Sequence, residues 1–413
     1  MHSIEKKIIN THKAAAMLRT VPEGQIVKAL KDLARTLEAE GASLLKANAK
    51  DMAQGDAADP KKDRLLLTKE RLKGIAGSIR KISRLPDPSG RVLEKKVLYN
   101  GLQLEKIAVP LGVVGAIYES RPNVTFDIAA LCLRSRNGCL LKGSSEADNT
   151  NRAAIKIIHK VLADHDIPPG CVTLLPSARD TVQQLFEATR YVDVLIPRGS
   201  NALIQYVRKN SLVPVIETGA GVCHIYVEQQ AALDKALAIV VNAKVSRPSV
   251  CNAMDTVLVD QAVAPRFLKE LQPLFESYGI EVFAEAKAYQ LLKGYPFLKR
   301  ASKEDFGREF LSLKCAVKVV KGMDEALDHI GRYSTKHSEA IVSENRDQCN
   351  RFVQAVDAAA VYTNASTRFT DGEEFGLGAE IGISTQKLHA RGPFALEKLV
   401  TEKWIVRGKG QIR

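Results

Sequence analysis

The sequence of 413 residues lacks the features that mark membrane, exported and disulfide-stabilised proteins. It has no run of about 18 apolar residues, so no segment is predicted to span a membrane. The first seven residues lack the apolar stretch and small-residue cleavage site of a secretory signal, so we expect a chain that is not exported. Its seven cysteines are odd in number and include no C-x-x-C pair, which indicates reduced thiols and a cytoplasmic location.

The motifs of three common kinds of site are missing as well. No G-x-G-x-x-G dinucleotide fingerprint follows the first predicted strand of the α/β region, where the nearest match is G-V-V-G at 112–115. No G-x-S-x-G elbow occurs, which excludes one class of serine hydrolase. The eight histidines are scattered, and His224 lies within an apolar strand, so we expect a core histidine there and no metal site.

Positive charge is in excess. Lys and Arg number 60 against 47 Asp and Glu, which gives a formal net charge of +13. Such a surface can bind nucleic acid through phosphates, or it can steer a small polyanionic substrate or a phosphorylated cofactor to a cleft. The basic residues are spread along the chain without a recognition-helix, RNP or zinc-finger pattern, so we expect no nucleic-acid partner.

Length and apolar periodicity indicate two or three domains of a globular enzyme. Residues 1–90 have helical periodicity. Residues 91–109 contain two β-prone runs around Asn100-Gly101, which predicts a hairpin whose two turn residues both have positive φ. This hairpin is either an arm that pairs with another subunit or a plain surface hairpin.

From residue 112 onward, apolar strands alternate with amphipathic helices, which is typical of a parallel sheet covered on both faces. One sheet is predicted from strands at 112–118, 139–142, 171–175, 192–196, 213–216 and 223–227. A second α/β unit is predicted from strands at 256–259, 317–320 and 340–342. The predicted fold class is α/β, with domains at 1–232 and 233–362 and a Gly-rich C-terminal segment at 363–413.

Cys251 lies in a Pro-bearing loop, R-P-S-V-C-N-A-M, between a predicted helix and a strand. An isolated cysteine is usually a small buried hydrophobe, but a loop held by rigid elements can present its thiol to a cleft. Arg247 and the N–H groups of the loop would favour the thiolate. Glu217 ends one apolar strand and Asn123 follows another, where an acid and an amide donor have a chemical use. These residues predict a nucleophilic site.

Two Gly-Ser turns follow predicted parallel strands, K-G-S-S at 142–145 and R-G-S at 198–200. Ligands of open α/β sheets bind at the carboxyl ends of the strands, where helix N-termini donate N–H groups to phosphate. The two turns therefore predict phosphate contacts, although the same residues also serve in ordinary turns.

This combination resembles the aldehyde dehydrogenase superfamily, which places a loop cysteine, an upstream glutamate and an asparagine after an early strand. The resemblance is closer to the gamma-glutamyl phosphate reductases, also called glutamate-5-semialdehyde dehydrogenases, and it extends over the whole chain. The blocks that carry it are Y-E-S-R-P-N-V-T (118–125), R-G-S-N-A-L-I (198–204), V-I-E-T-G-A-G-V-C-H (215–224), R-P-S-V-C-N-A (247–253) and F-G-L-G-A-E-I-G-I-S-T-Q-K-L-H-A-R-G-P (375–393).

The resemblance implies an NADP-binding domain at 1–232, a catalytic domain at 233–362, an oligomerisation arm at 91–109, and a substrate loop and oligomerisation strand within 363–413. It implies NADPH-dependent reduction of L-glutamyl 5-phosphate to L-glutamate 5-semialdehyde and phosphate, in proline biosynthesis, through a thioester on Cys251. It also implies a homo-oligomer, a dimer or a tetramer, and leaves open an association with glutamate 5-kinase. Because no kinase domain precedes the reductase blocks, the stand-alone form is expected.

By the same resemblance, Cys251 is the nucleophile and Asn123 an oxyanion donor, while Glu217 deprotonates the thiol, exchanges protons with the hemithioacetal, or braces the loop. Cofactor contacts are expected at Lys142, Ser144, Ser145, Gly199, Ser200 and Glu309. Contacts to the substrate's phosphate and α-carboxylate are expected at Arg247, Arg368, Gly378 and Ser384.

Two other functions stay open. One is an NAD(P)-dependent semialdehyde dehydrogenase that hydrolyses its thioester to a free acid. The other is a basic protein without catalytic activity that binds nucleic acid or another anionic partner. The reductase differs from the hydrolytic enzyme because hydride, not water, must release the acyl group.

Overall fold

The computed structural model describes residues 3–54, 62–119, 121–178 and 180–413. The chain divides into two compact units. The first contains the residues up to 218 together with 376–382 and 394–413, and the second contains 219–375 and 383–393. No helix within the described residues is long and apolar enough to cross a membrane.

The first unit contains nine α-helices and six strands among its described residues up to 218, and they follow the predicted alternation. The helices are α1 (Ser3–Leu18), α2 (Glu23–Ala39), α3 (Gly41–Met52), α4 (Lys62–Leu65), α5 (Lys69–Arg84), α6 (Pro122–Arg134), α7 (Asp148–Asp164), α8 (Asp180–Phe186) and α9 (Asn201–Asn210). The strands are β1 (Val92–Val97), β2 (Gln103–Pro110), β3 (Val113–Tyr118), β4 (Gly138–Lys142), β5 (Val172–Leu174) and β6 (Val194–Arg198). A parallel sheet has the strand order β5-β4-β3-β6, and an isolated bridge from Leu195 to Val215 replaces the strand predicted at 213–216.

Local signals account for helices such as α5. The Thr68 side chain accepts a hydrogen bond from the backbone N–H of Arg71 at 3.2 Å, which satisfies one of the donors that a helix start leaves unpaired. The apolar residues at helical spacing all lie on its buried face: Leu72, Ile75, Ile79 and Ile82. A cap of this kind contributes about 1 kcal/mol to helix stability.

The second unit is an α/β layer structure whose parallel sheet has seven strands, against four in the first unit. Its helices are α10 (Leu233–Val245), α11 (Ala264–Ser277), α12 (Ala286–Leu291), α13 (Met323–Tyr333) and α14 (Arg346–Ala355). Its strands are β7 (Cys223–Val227), β8 (Met254–Asp260), β9 (Glu281–Ala284), β10 (Leu298–Arg300), β11 (Lys314–Val320), β12 (Ser338–Val342) and β13 (Ala360–Thr363). They form a parallel sheet in the order β10-β9-β11-β8-β7-β12-β13, and β7, β8 and β12 are buried along their whole length.

The position of β7 corrects the predicted sheet and the predicted boundary at 232. Residues 223–227 were predicted in the first sheet, but β7 pairs in parallel with β8 on one side and with β12 on the other. The strands of both sheets are runs of mainly apolar residues, so the sequence of a strand does not indicate the sheet to which it belongs. The chain therefore changes unit after residue 218, before β7 begins.

The segment predicted as a separate C-terminal region at 363–413 is shared between the two units. It contains β14 (Glu380–Ser384), β15 (Gly392–Ala395) and β16 (Val400–Arg407), and β14 is paired with β15. β16 pairs antiparallel with β2, so the sheet order is β1-β2-β16.

The predicted hairpin is confirmed as β1 and β2, but its turn differs from the predicted one. The N–H of Leu98 donates to the carbonyl oxygen of Leu102 at 2.9 Å, so three residues form the loop. Gly101 has φ +83°, whereas Asn100 is not among the residues with positive φ. A three-residue loop needs only its last residue in the left-handed region, and glycine adopts that region without strain.

Three histidines are buried in the second unit: His224 on β7, His329 in α13 and His337 before β12. The Nε2 atom of each is buried without a hydrogen-bond partner among the described residues. Burial disfavours the charged imidazolium and lowers the pKa of His337 from 6.5 to about 4. His337 is therefore neutral in the folded chain near neutral pH.

We expect His337 to make the protein less stable as the pH falls. Below pH 6.5 the unfolded chain binds a proton at this histidine and the folded chain does not, so stability is lost until the pH reaches about 4. Between about pH 7.5 and pH 5 the loss from His337 amounts to about 2 kcal/mol. In His337→Asn, whose amide can still bond the Ser338 hydroxyl, urea unfolding midpoints at the two pH values should lie closer together than in the wild type. Equal acid sensitivity of the two proteins would contradict this assignment.

Candidate active site

Cys251 lies between α10 and β8, on the loop that precedes the amino end of β8. Its side chain is partly exposed, whereas the other six cysteines are buried and none of the seven forms a disulfide. The predicted loop position of Cys251 is therefore confirmed. Because a thiol must be accessible to act as a nucleophile, Cys251 is the cysteine that can do so.

The backbone of the Cys251 loop packs directly against the segment that leads into β7. A Cβ atom on Gly221 would lie 1.5 Å from the carbonyl oxygen of Cys251, so no side chain fits at position 221. The thiol of Cys223 donates a hydrogen bond to the same carbonyl oxygen at 3.2 Å. The N–H of Gly221 donates to Oε1 of Glu309 at 2.9 Å, and burial raises the pKa of Glu309. Glu309, predicted as a cofactor contact, is thus bonded to the backbone that supports the cysteine loop.

Arg368 is held on the other side of this loop. Its Nε donates to the hydroxyl of Ser246 at 3.0 Å, and its Nη1 donates to the side-chain oxygen of Asn252. Burial and the positive charge of Arg247 lower the pKa of Arg368, while negative charge at Asp371, Cys251 and Glu374 acts in the opposite direction. Arg368, predicted as a substrate contact, therefore interacts electrostatically with both Cys251 and Arg247, the other arginine predicted as a substrate contact.

Ser384 and Gly378, the other predicted substrate contacts, are on the Gly-rich segment. Ser384 is the last residue of β14, is fully buried, and accepts a hydrogen bond from the N–H of Gln386 at 3.3 Å. Gly378 has φ +75°, and a Cβ there would lie 2.9 Å from Leu85. Gly378 belongs to the first unit and Ser384 to the second.

In the first unit, the turn after β4 carries three of the predicted cofactor contacts. Lys142 is the last residue of β4 and is partly buried. Ser144 precedes a short 3₁₀ helix, Ser145–Ala147, that leads into α7. This turn lies at the carboxyl end of the parallel sheet, as the sequence predicts.

The turn after β6 already holds an anionic group. Ser200 caps α9, and both its backbone N–H and its hydroxyl donate to the carboxylate of Glu119, at 2.9 and 2.7 Å. A Cβ on Gly199 would lie 2.6 Å from the carboxylate carbon of Glu119, so glycine is required for this contact. The predicted phosphate contacts at Gly199 and Ser200 therefore bind an internal carboxylate in this structure.

Asn123 and Glu217 also belong to the first unit. Asn123 lies in the first turn of α6, is exposed, and donates from Nδ2 to a carboxylate oxygen of Asp127 at 3.0 Å. Glu217 pairs with Arg208, with Oε1 3.1 Å from Nε. Each side chain thus has an intramolecular partner within its own unit.

Two residues that sequence reasoning missed are Asn252 and Glu119. Both lie within the quoted blocks, directly beside Cys251 and shortly before Asn123. Neither has a spacing that indicates its partner, because Asn252 bonds residues 367–370 and Glu119 bonds Ser200. Among the described residues, no group of three or more His, Cys, Asp or Glu could hold a metal ion.

We expect iodoacetamide to label the native protein once per chain, at Cys251, because the six other cysteines are buried. Cys251→Ser should incorporate no label under the same conditions, while the denatured wild type should incorporate seven. Intact-protein mass spectrometry followed by peptide mapping measures both results. Rapid labelling of native Cys251→Ser would show that another cysteine is accessible.

Comparison with known proteins identifies the family of the chain. The model of the aldehyde dehydrogenase family matches residues 2–285. The chain is 48% identical over 414 residues to the gamma-glutamyl phosphate reductase of Chlorobium luteolum, with 100% of this chain and 98% of the relative covered. It is 50% identical over 403 residues to that of Chlorobaculum parvum, with 97% and 96% covered.

A solved structure gives the same result. The crystal structure of gamma-glutamyl phosphate reductase from Thermotoga maritima is 40% identical, covers 100% of both chains and superimposes with a TM-score of 0.97. The chain belongs to the gamma-glutamyl phosphate reductase family of the aldehyde dehydrogenase superfamily.

Proposed function

We propose that the chain catalyses the NADPH-dependent reduction of L-glutamyl 5-phosphate to L-glutamate 5-semialdehyde and phosphate, in proline biosynthesis. The names of its relatives support this reaction. The observation that carries it is the partly exposed Cys251 on a loop flanked by two arginines, because an acyl phosphate offers an electrophilic carbon and an anionic leaving group.

The first step is attack of the Cys251 thiolate on the acyl carbon. A carbon–sulfur bond forms, the carbon–oxygen bond to phosphate breaks, and phosphate leaves with the electron pair, which gives a thioester. Arg247 and Arg368 would bind the phosphate or the α-carboxylate, since a guanidinium holds such groups through two parallel hydrogen bonds. Gly378 and Ser384 would line the substrate from the Gly-rich segment.

The oxyanion of the tetrahedral species needs preorganised donors. We assign the side-chain amide of Asn123 and the backbone N–H of Cys251 to this role. The amide of Asn123 donates to Asp127 in the structure, so substrate would have to compete with this hydrogen bond. The Glu217–Arg208 pair favours a bracing role for Glu217 over that of a base.

The first unit would bind NADPH, which supplies the hydride that reduces the thioester. The donors at Ser200 suit an anionic group, because they already hold the carboxylate of Glu119. We assign Gly199 and Ser200 to the pyrophosphate, and Lys142 with Ser144 and Ser145 to the adenosine ribose and its 2′-phosphate. Glu309 would meet the nicotinamide ribose.

The sheet β1-β2-β16 is proposed as the oligomerisation arm of a homo-oligomer. Large apolar and aromatic side chains lie exposed on it, and a second copy would cover them. They are Val92, Leu93, Val97, Tyr99, Trp404 and Val406. Free thiols throughout the chain support a cytoplasmic location.

Phosphate dependence tests the reductase against the hydrolytic dehydrogenase. In the reverse direction, reduction of NADP⁺ with glutamate 5-semialdehyde should require inorganic phosphate, because phosphate must take the acyl group from Cys251. Cys251→Ser should lose this activity by at least about 1,000-fold and keep NADPH binding, because the hydroxyl is a far weaker nucleophile. Turnover without phosphate at the same rate would contradict the reductase and favour hydrolysis.

The contact between Glu119 and Ser200 predicts a second measurable effect. Glu119→Gln removes a negative charge that competes with a phosphate for the N-terminus of α9, while the amide is of similar size. We expect NADPH to bind several-fold more tightly to the variant, measured by quenching of protein fluorescence or by calorimetry. Glu70→Gln is the matched control, since that exposed acid lies in the first turn of another helix, α5, which has no assigned cofactor contact. Weaker binding of NADPH to Glu119→Gln would contradict this expectation and would indicate that Glu119 stabilises the conformation of the turn that binds the cofactor.

A further inference from the structure

Asn252, which follows the nucleophile, is 3% exposed and uses both polar atoms of its side chain. Its Nδ2 donates to the carbonyl oxygens of Thr370 at 2.9 Å and of Arg368 at 3.3 Å, and its Oδ1 accepts from Nη1 of Arg368. The hydroxyl of Thr367 donates to the backbone carbonyl oxygen of Asn252 at 2.7 Å. Asn252 therefore joins the cysteine loop to residues 367–370.

These contacts restrict the guanidinium of Arg368. Ser246 accepts from its Nε and Asn252 from its Nη1, and these two residues flank Cys251 on the same loop. A guanidinium bonded at both ends of the loop is fixed alongside it, because its donors have a rigid planar geometry. Arg247, the other arginine of the loop, is exposed, so water and salt screen its charge more strongly.

We propose that Asn252 is a positioning residue, and that through it Arg368 stabilises the thiolate of Cys251 in the free enzyme. The inference rests on the proposed function only in taking Cys251 as the nucleophile. In this proposal, the positive charge of Arg368 favours the thiolate over the thiol, and no general base is needed to deprotonate Cys251. The electrostatic interaction between Arg368 and Cys251 is consistent with this assignment.

Few other groups near Cys251 change charge near neutral pH. Burial raises the pKa of Cys223 and lowers that of His337 to about 4, so both are neutral near neutral pH. Burial also raises the pKa of Asp255, on β8, to about 6. The charged and titratable groups from the neighbouring segments include Cys223, Arg247, Asp255, Glu309, His337, Glu339, Arg368, Asp371 and Glu374. An alkylation profile above about pH 7 therefore reports chiefly on the Cys251 thiol.

The experiment measures the rate of iodoacetamide alkylation of Cys251 against pH in the full-length protein without substrate or cofactor. Arg368→Gln should raise the pH midpoint of the rate by about one unit, because a fixed positive charge near the thiolate is lost. Asn252→Ala should raise it in the same direction. In the double variant the two effects should not add, since Asn252 acts through Arg368.

Two controls separate positioning from a general disturbance of the loop. Thr367→Val removes another hydrogen bond to Asn252 without touching the guanidinium, and it should leave the midpoint unchanged. Arg247→Ala removes an exposed charge from the same loop and should shift the midpoint by less than Arg368→Gln does. A shift in Thr367→Val as large as in Asn252→Ala would overturn the proposal, and so would an unchanged midpoint in Arg368→Gln.

The outcome is independent of the proposed reaction. If the variants shift the midpoint as expected while semialdehyde, phosphate and NADP⁺ give no turnover, the inference about the thiolate stands and the proposed function fails. Should Asn252→Ala not fold, which circular dichroism would reveal, Arg368→Gln with its two controls still decides whether Arg368 stabilises the thiolate.

Discussion

The close contact between the carbonyl oxygen of Cys251 and the backbone at Gly221 is the constraint on which the candidate site depends. A methyl group at position 221 would coincide with that oxygen, so only glycine lets the loop approach. The thiol of Cys223 and the carboxylate of Glu309 then fix the two sides of this contact. Backbone atoms have little freedom to move, so Cys251 is held more rigidly than a side-chain contact alone would hold it.

Buried polar groups extend this support behind the loop. The hydroxyl of Ser338 bonds Nδ1 of His337 at 2.8 Å and the hydroxyl of Thr370 at 2.7 Å, and the backbone of Thr370 in turn accepts from Asn252. A hydrogen-bonded network of this kind favours one arrangement of its members, since each lost bond leaves a buried polar atom unpaired. The conformation of the Cys251 loop therefore depends on buried residues outside the loop as well.

The sequence predicted the α/β class, the hairpin and the loop position of Cys251, because each follows from local periodicity and turn chemistry. It placed 223–227 in the wrong sheet. A strand buried on both faces is apolar along its whole length, so its sequence does not indicate which strands it pairs with. It also missed the partners of Asn252 and Glu119. Those contacts join residues more than 80 positions apart, and no pattern along the chain encodes such pairings. The roles of Cys251, Asn123 and Glu217, and those of the cofactor and substrate contacts, stay predictions.

The basic residues of the chain differ in how firmly the fold holds their charge. Most Lys and Arg side chains are solvated, where pairing contributes little. Arg368 is different, because hydrogen bonds on both sides of its guanidinium keep the charge in one place and partial burial reduces screening by water. At Ser200, an internal carboxylate satisfies the donors of a helix start. In both places, the strength of the electrostatic interaction depends on whether hydrogen bonds fix the position of the charged group. The net charge of the chain contains no information about such positions, so it does not identify the ligand.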